Sequence, residues 1–262
     1  TITEGMRNTG GSSGGGETYI REAPMSVYTA DVKASYAAYG DAAIAVFTRI
    51  GGEGSDLEPG SFADGSVYLR LNDDERAMLK EMRDNFSKVI VLINSSNAME
   101  LDFLEEFGVD ACLWIGGVGQ EGLDAVADIL IGNINPSGRL VDVYASNSLS
   151  SPAMQNFGDF TFSNAAELET QLAATYGEGQ ANYYTKYLVY SEGIYVGYKY
   201  YETRYEDAVL GQGNADSTKG AFNSNGGWNY ADEVVFPFGY GISYTTFTQT
   251  LDSVTDTGDG FD

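Results

Sequence analysis

Ala42–Thr48 (AAIAVFT), Lys88–Asn94 (KVIVLIN) and Asp110–Ile115 (DACLWI) are short, nearly unbroken apolar runs. A run without polar alternation reads as a strand buried on both faces, the pattern of a parallel sheet rather than of an antiparallel meander. Parallel strands need crossovers of a dozen residues or more, and the intervening stretches are helical in pattern. Asn72 with Glu75 three residues on is a capping box, predicting a helix to about Asn85 that carries Met78, Leu79 and Met82. Ala98–Phe107 reads as a short acidic helix, Glu121–Ile131 as another, and Arg139–Val143 (RLVDV) as a fourth strand. Ahead of them, Ser26–Tyr39 places Val27, Val32, Tyr36 and Ala37 on one side of a helix that Gly40 would stop. The expectation is an α/β chain whose mostly parallel sheet is sandwiched between helices.

Past Tyr144 the texture changes. Residues 145–190 are rich in Ser, Asn and Tyr with little periodicity, and read as long irregular segments. Tyr195–Tyr201 (YVGYKYY) reads as an aromatic strand, 211–230 as an inserted surface loop, and Val234–Phe247 as a last apolar piece before an acidic tail. The C-terminal segments are thus irregular and Tyr/Gly-rich.

Composition narrows the chemistry. The 262 residues contain no histidine and one cysteine, and 38 acidic against 14 basic residues give a net charge of −24. A His-based triad, a His general base, an internal disulfide and a cysteine-rich zinc site are all excluded for this chain, and neither a cofactor nor a metal is implied. Phosphate backbones and anionic lipid would repel such a charge, so neither nucleic acid nor a membrane is expected as a partner. The apolar runs are strand-sized, and the opening TITEGMRNTGG has no basic or apolar signal-peptide region. This leans toward the cytoplasm without fixing a compartment.

Three motifs could carry chemistry. Gly51-Gly52-Glu53-Gly54-Ser55-Asp56 follows the first strand, where open α/β sheets place their ligands. Glycines on both sides of Glu53 allow close approach, and a carboxylate there can act as a general acid if partial burial raises its pKa. The alternative is an acidic, Gly-rich turn. Gly117-Val118-Gly119-Gln120-Glu121-Gly122 follows the third strand and opens a helix, with Asp142 twenty residues beyond Gly122, the spacing of a dinucleotide fingerprint. Against that reading, Glu121 would oppose a pyrophosphate in the first helical turn. Finally, Trp114, Tyr195, Tyr198, Tyr200, Tyr201 and Trp228 could stack on sugar rings or be core.

Five ordered blocks decide among these: DAAIAVFTRIGGEGSD (41–56), KVIVLINSSNAME (88–100), VDACLWIGGVGQEGLDAVADILIGNINPSGRL (109–140), SEGIYVGYKYYE (191–202) and VVFPFGYGISYTTF (234–247). Together they resemble the second, α/β-sandwich domain of family 3 of the glycoside hydrolases, the β-glucosidase group. The resemblance implies a retaining exo-glycosidase acting on a β-glucoside or related oligosaccharide. A barrel domain absent from this sequence would supply the Asp nucleophile, and Glu53 of the GEG loop would be the acid/base. It also implies that Gly117, Gly119 and Gly122 belong to a structural turn. The Gly/Ser tract TGGSSGGGET (9–18), by composition alone a linker, becomes a loop reaching the sugar. Ser13 and Asp56 are the candidate substrate contacts. Residues 1–247 would form the domain, lacking its first strand, and 248–262 an acidic linker toward a further domain. A non-catalytic carbohydrate-binding or structural module with an inert Glu53 is the alternative, and a dinucleotide-binding domain a more distant one.

Overall fold

The computed structural model of the chain describes residues 22–49, 67–156, 160–190, 192–205, 209–211 and 228–260. Its centre is a parallel sheet of three strands in the order β1 (Ala43–Arg49), β2 (Val89–Ser95), β3 (Ala111–Trp114). The register puts Ala45 beside Val91 and Phe47 beside Ile93, and these four side chains are buried. The α/β reading and all three apolar runs hold, each strand shifted by a residue or so.

The capping box forms as the sequence reads. Asn72 accepts from the Glu75 amide, the Glu75 carboxylate accepts from the Asn72 amide, and α2 runs Asp73–Asn85. Its Met78 and Leu79 join Leu71, Met99, Leu101 and Phe103 against the sheet's core face. Phe47 meets Phe103 edge-on, ring centroids 5.5 Å apart. The opposite face is apolar but open at β1, where Ile44 and Val46 are about half exposed while Leu92 is buried. Alternation along β1 thus sorts one face into the core and leaves the other at the surface.

Several expectations are corrected. Ser26–Tyr39 is not one helix: a 3-10 turn (Met25–Val27) precedes α1 (Ala30–Ala34), which passes into a second 3-10 turn (Ser35–Ala38). The break is at Thr29, whose hydroxyl accepts from the Val32 amide and starts α1 anew. Ala98–Phe107 shrinks to α3 (Phe103–Glu106), because Met99 and Leu101 are turned into the core from a non-helical stretch and Glu100 is buried in an ion pair. α4 (Gly122–Leu130) follows β3 as expected.

Arg139–Val143 is not a strand of the parallel sheet. The chain there runs against the C-terminal apolar piece instead. Leu140 exchanges backbone bonds with Gly239 and Tyr240, and β4 (Tyr144–Ala145) pairs antiparallel with β7 (Val234–Phe236). The segments between them hold α5 (Pro152–Gln155), β5 (Phe160–Thr161), α6 (Ala165–Tyr176), α7 (Glu178–Ala181), β6 (Lys186–Tyr187), α8 (Tyr198–Tyr205) and α9 (Tyr230–Glu233), with β5 and β6 antiparallel. Residues 145–190 are therefore more regular than their composition suggests. Tyr195–Tyr201 contributes to a helix, not a strand. Gly197, at φ +57°, turns the chain, and Asp142 Oδ1 accepts from the Tyr198 amide at the start of α8. Helical spacing then puts Tyr200, Tyr201 and Arg204 on one buried face.

The expected outcome for the sheet is directional. Phe47→Ala should cost about 3–5 kcal/mol in urea unfolding, and Val46→Ala, one residue away on the open face, less than about 1 kcal/mol. The reverse order would place β1 in the other register.

Candidate functional site

Glu53, Asp56 and Ser13, the sequence candidates, lie outside the described residues. What is described is the frame from which the Glu53 segment, residues 50–66, departs and to which it returns. Three strands end side by side at this edge, and their last side chains lace them together. Thr48 Oγ1 donates to Asn94 Oδ1 (3.3 Å), Asn94 Nδ2 donates to the Gly116 carbonyl, and Trp114 Nε1 donates to the Ser95 carbonyl (2.7 Å). Trp114 thus ties β3 to β2 through its indole N–H, with its residue 39% exposed.

Arg49 ends β1 with a buried guanidinium. Nη1 and Nη2 grip the two oxygens of Glu75 in a fork, both at 2.8 Å. The remaining donors go to backbone carbonyls: Nε to Tyr68, Nη1 to Thr48 (2.9 Å) and Nη2 to Arg70 (2.6 Å). One carboxylate therefore both caps α2 and neutralises the cation at the end of β1. On its other side, the returning stretch is held by Glu100, buried, which accepts from Arg70 Nε through Oε2. Its Oε1 accepts from the Ser148 amide (2.7 Å) and hydroxyl (2.9 Å). The sequence marks Glu75 only as half of a capping box and gives Arg49 and Glu100 no role. The available signal was a charged residue closing an apolar strand directly before a Gly-rich loop.

The other motifs resolve into structure. Gly116 and Gly119 sit at φ +55° and +63°, where glycine is favoured, in the turn leading to α4. Asp142, the acid at ribose spacing, has Oδ1 engaged by the Val143 and Tyr198 amides. Tyr200 and Tyr201 are core residues packed with Val143, Ala145 and Val234. Arg204 lies over the Trp228 ring, 4.9 Å from its centroid, and donates to the Tyr200 hydroxyl. Burial pushes Tyr144 and Tyr201 up to about 12, and the Tyr201 hydroxyl shares a hydrogen bond with Ser150 Oγ. Tyr195 and Tyr198 are nearer the surface, Tyr198 stacked on Phe238 at 4.2 Å. Among the described residues no cluster of His, Cys, Asp and Glu could hold a metal ion, and no helix is long and apolar enough to cross a membrane.

The sheet, the crest of strand ends and the turn glycines form the scaffold in which a family model, the glycosyl hydrolase family 3 C-terminal domain, matches residues 1–198. The chain belongs to glycosyl hydrolase family 3. It is similar to a beta-glucosidase of Ruminococcus albus, 31% identical over 90% of the chain and 19% of the relative. Beta-glucosidase A of Butyrivibrio fibrisolvens is also 31% identical, over 83% of the chain and 23% of the relative. Among solved structures, a beta-glucosidase from Paenibacillus barengoltzii superposes with a TM-score of 0.60 at 26% identity, covering 93% of the chain and 21% of that protein. The chain spans about a fifth of the length of these family 3 relatives.

The Arg49–Glu75 pair makes a measurable demand. Glu75→Ala should cost about 3–5 kcal/mol because it leaves Arg49 buried and unpaired, whereas Asn72→Ala, which removes only a cap, should cost about 1 kcal/mol. Urea unfolding of the two variants compares them directly. Equal, small losses would show that water, not Glu75, can satisfy the guanidinium.

Proposed function

We propose that this chain is the acid/base-bearing domain of a retaining exo-glycosidase that removes terminal β-linked sugars, with a β-glucoside or related oligosaccharide as substrate. In this reading residues 1–247 form the domain and 248–262 lead toward another. A barrel domain elsewhere in the full-length protein supplies the Asp nucleophile. The observation that carries the proposal is the GEG sequence directly beyond β1, in a family 3 chain whose named relatives are beta-glucosidases.

The chemistry follows from two carboxyl groups about 5–5.5 Å apart, one on each side of the scissile bond. The barrel Asp attacks the anomeric carbon as Glu53, protonated, gives its proton to the departing glycosidic oxygen. The resulting glycosyl-enzyme is then opened by water, from which the Glu53 carboxylate takes the proton. Glu53 returns to its starting state. A carboxyl that begins the cycle protonated near neutrality needs partial burial or a neighbouring negative charge, and the nucleophile supplies the second. Ser13 and Asp56 are assigned to hold sugar hydroxyls. No step calls for an imidazole, which agrees with a chain that has no histidine.

In the full-length protein, Glu53→Ala should lower kcat/KM by about 10²–10⁴-fold on glucosides with poor leaving groups. Aryl glucosides with acidic leaving groups should lose far less from the first chemical step, and azide should restore part of their turnover as a glycosyl azide. Equal losses on both substrate types without azide rescue would remove Glu53 from the acid/base role. Tight binding of glucose or cellobiose by the isolated chain would favour the carbohydrate-binding module instead.

A further inference from the structure

In a chain where 20% of the residues are charged, two stretches carry no charge at all: Ile129–Gly138, from the last turn of α4 onward, and Val234–Leu251, from β7 onward. The fold clasps them together, although 108 to 115 residues separate the groups that meet. Asn135 Oδ1 accepts from the Tyr244 amide and the Ser243 hydroxyl, both at 2.8 Å, and its Nδ2 donates to Thr245 Oγ1 (2.9 Å). The Tyr244 hydroxyl donates to the Ile129 carbonyl at the end of α4 (2.8 Å). Leu140 extends the clasp through its backbone bonds with Gly239 and Tyr240. The two stretches lie so close at Gly241 that a Cβ there would stand 2.7 Å from the Gly138 carbonyl oxygen.

The polar side chains of the clasp are engaged on one another, and large apolar ones are left outside. Ile131 is 71% exposed, Ile242 76% and Phe247 82%, with Val141 and Tyr244 also exposed. Each of the five stands within two residues of a clasp bond. Apolar residues scattered singly over a surface need no explanation, but a group of them fixed in place and free of charge has the composition of an interface centre. Because the backbone beneath them is already ordered, docking would cost little further entropy. A sugar suits this face poorly. Sugar sites need convergent free polar groups, and here both acceptor positions of Asn135 Oδ1 are filled and the Ser243 and Thr245 hydroxyls are bonded within the clasp. A second copy suits it poorly too, since it would bring another net charge of −24.

We infer that the outer face of this clasp, made by Ile131, Val141, Ile242, Tyr244 and Phe247, is a docking surface for another part of the same family 3 polypeptide, which meets it with an apolar, uncharged surface. The chain spans about a fifth of the length of its family 3 relatives, so most of such a polypeptide lies outside these residues. Covalent attachment raises the effective concentration of such a partner to about the millimolar range, so a face of this kind can be occupied without high intrinsic affinity. The inference rests on the reading of this chain as one domain of a longer protein. It does not depend on the role of Glu53.

The test uses the full-length protein, with the photo-crosslinking residue p-benzoylphenylalanine substituted for Ile242 in one variant and for Phe247 in another. Both side chains are exposed in this domain, so neither replacement disturbs its core. On irradiation both variants should form adducts within a single polypeptide, and mass spectrometry should place the attached peptide outside these 262 residues. Ile242→Asp, which sets a charge in the docked face, should speed hydrogen exchange over residues 238–247 of the full-length protein by about 10-fold or more. Adducts that join two copies in a band of twice the mass, adducts confined to these 262 residues, or no adduct at either position each overturn the docking surface. Unchanged exchange in Ile242→Asp overturns it as well. A full-length protein that contains no further polypeptide overturns instead the longer-protein reading on which the inference stands.

Discussion

A parallel strand packed into a core must hand its chain back to water at its carboxyl end, and in this protein β1 does so through Arg49. The residues before it obey a simple division, with Ala45 and Phe47 facing the core and Ile44 and Val46 facing out. Arg49 lies on the core side of that division and would be a buried cation without an answer. Glu75 answers it, and can do so only because the capping box has already fixed the first turn of α2. The strand end, the helix start and the return of the chain at Tyr68 and Arg70 are therefore one assembly. Removing any part leaves a buried charge or a buried carbonyl unsatisfied.

The same assembly explains which parts of the fold can be read from sequence. The α2 cap is legible because its two bonds join residues three apart, so spacing alone specifies them. The three apolar runs are legible because burial on a parallel sheet demands continuous hydrophobicity. Arg139–Val143 has similar local character, yet its partner lies near Gly239 and Tyr240, a hundred residues away, and no local pattern encodes that pairing. Tyr195–Tyr201 misleads for a related reason. Aromatic residues favour strands intrinsically, but the Asp142 carboxylate and the turn at Gly197 commit the stretch to a helix. α6 is illegible for the contrary reason: Ala165–Tyr176 contributes no buried residue, so the apolar stripe that marks most helices is absent and only helix propensity remains.

The site shows a comparable split. Glu53 was nominated by glycine context and by resemblance to a family, and the match over residues 1–198 establishes that family. The residues that frame its segment were not nominated. An isolated Arg, a Glu in a cap and a Glu in an acidic stretch each have an ordinary reading, and only their convergence gives them meaning. The aromatic set divides between its two readings. For Tyr200 and Tyr201 the sequence leaves sugar stacking and core both open, and the fold places them in the core.

Burial also separates the carboxylates by task. Among the described residues the buried acids are Glu75, Glu100 and Glu233. Glu75 and Glu100 have both oxygens engaged by cations, amides or a hydroxyl. Oxygens so engaged are not available to a substrate without breaking the fold around them. General acid catalysis needs the contrary arrangement: a carboxyl with an unencumbered oxygen, reachable by substrate and supported from behind. Glu53, the proposed acid/base, lies between two glycines in the sequence that follows β1. Within the described residues, Arg49, Glu75 and Glu100 tie the end of β1 to the stretch at Tyr68 and Arg70. Burial and full engagement thus suit Glu75 and Glu100 to holding structure, the contrary of what the proposed reaction asks of its acid.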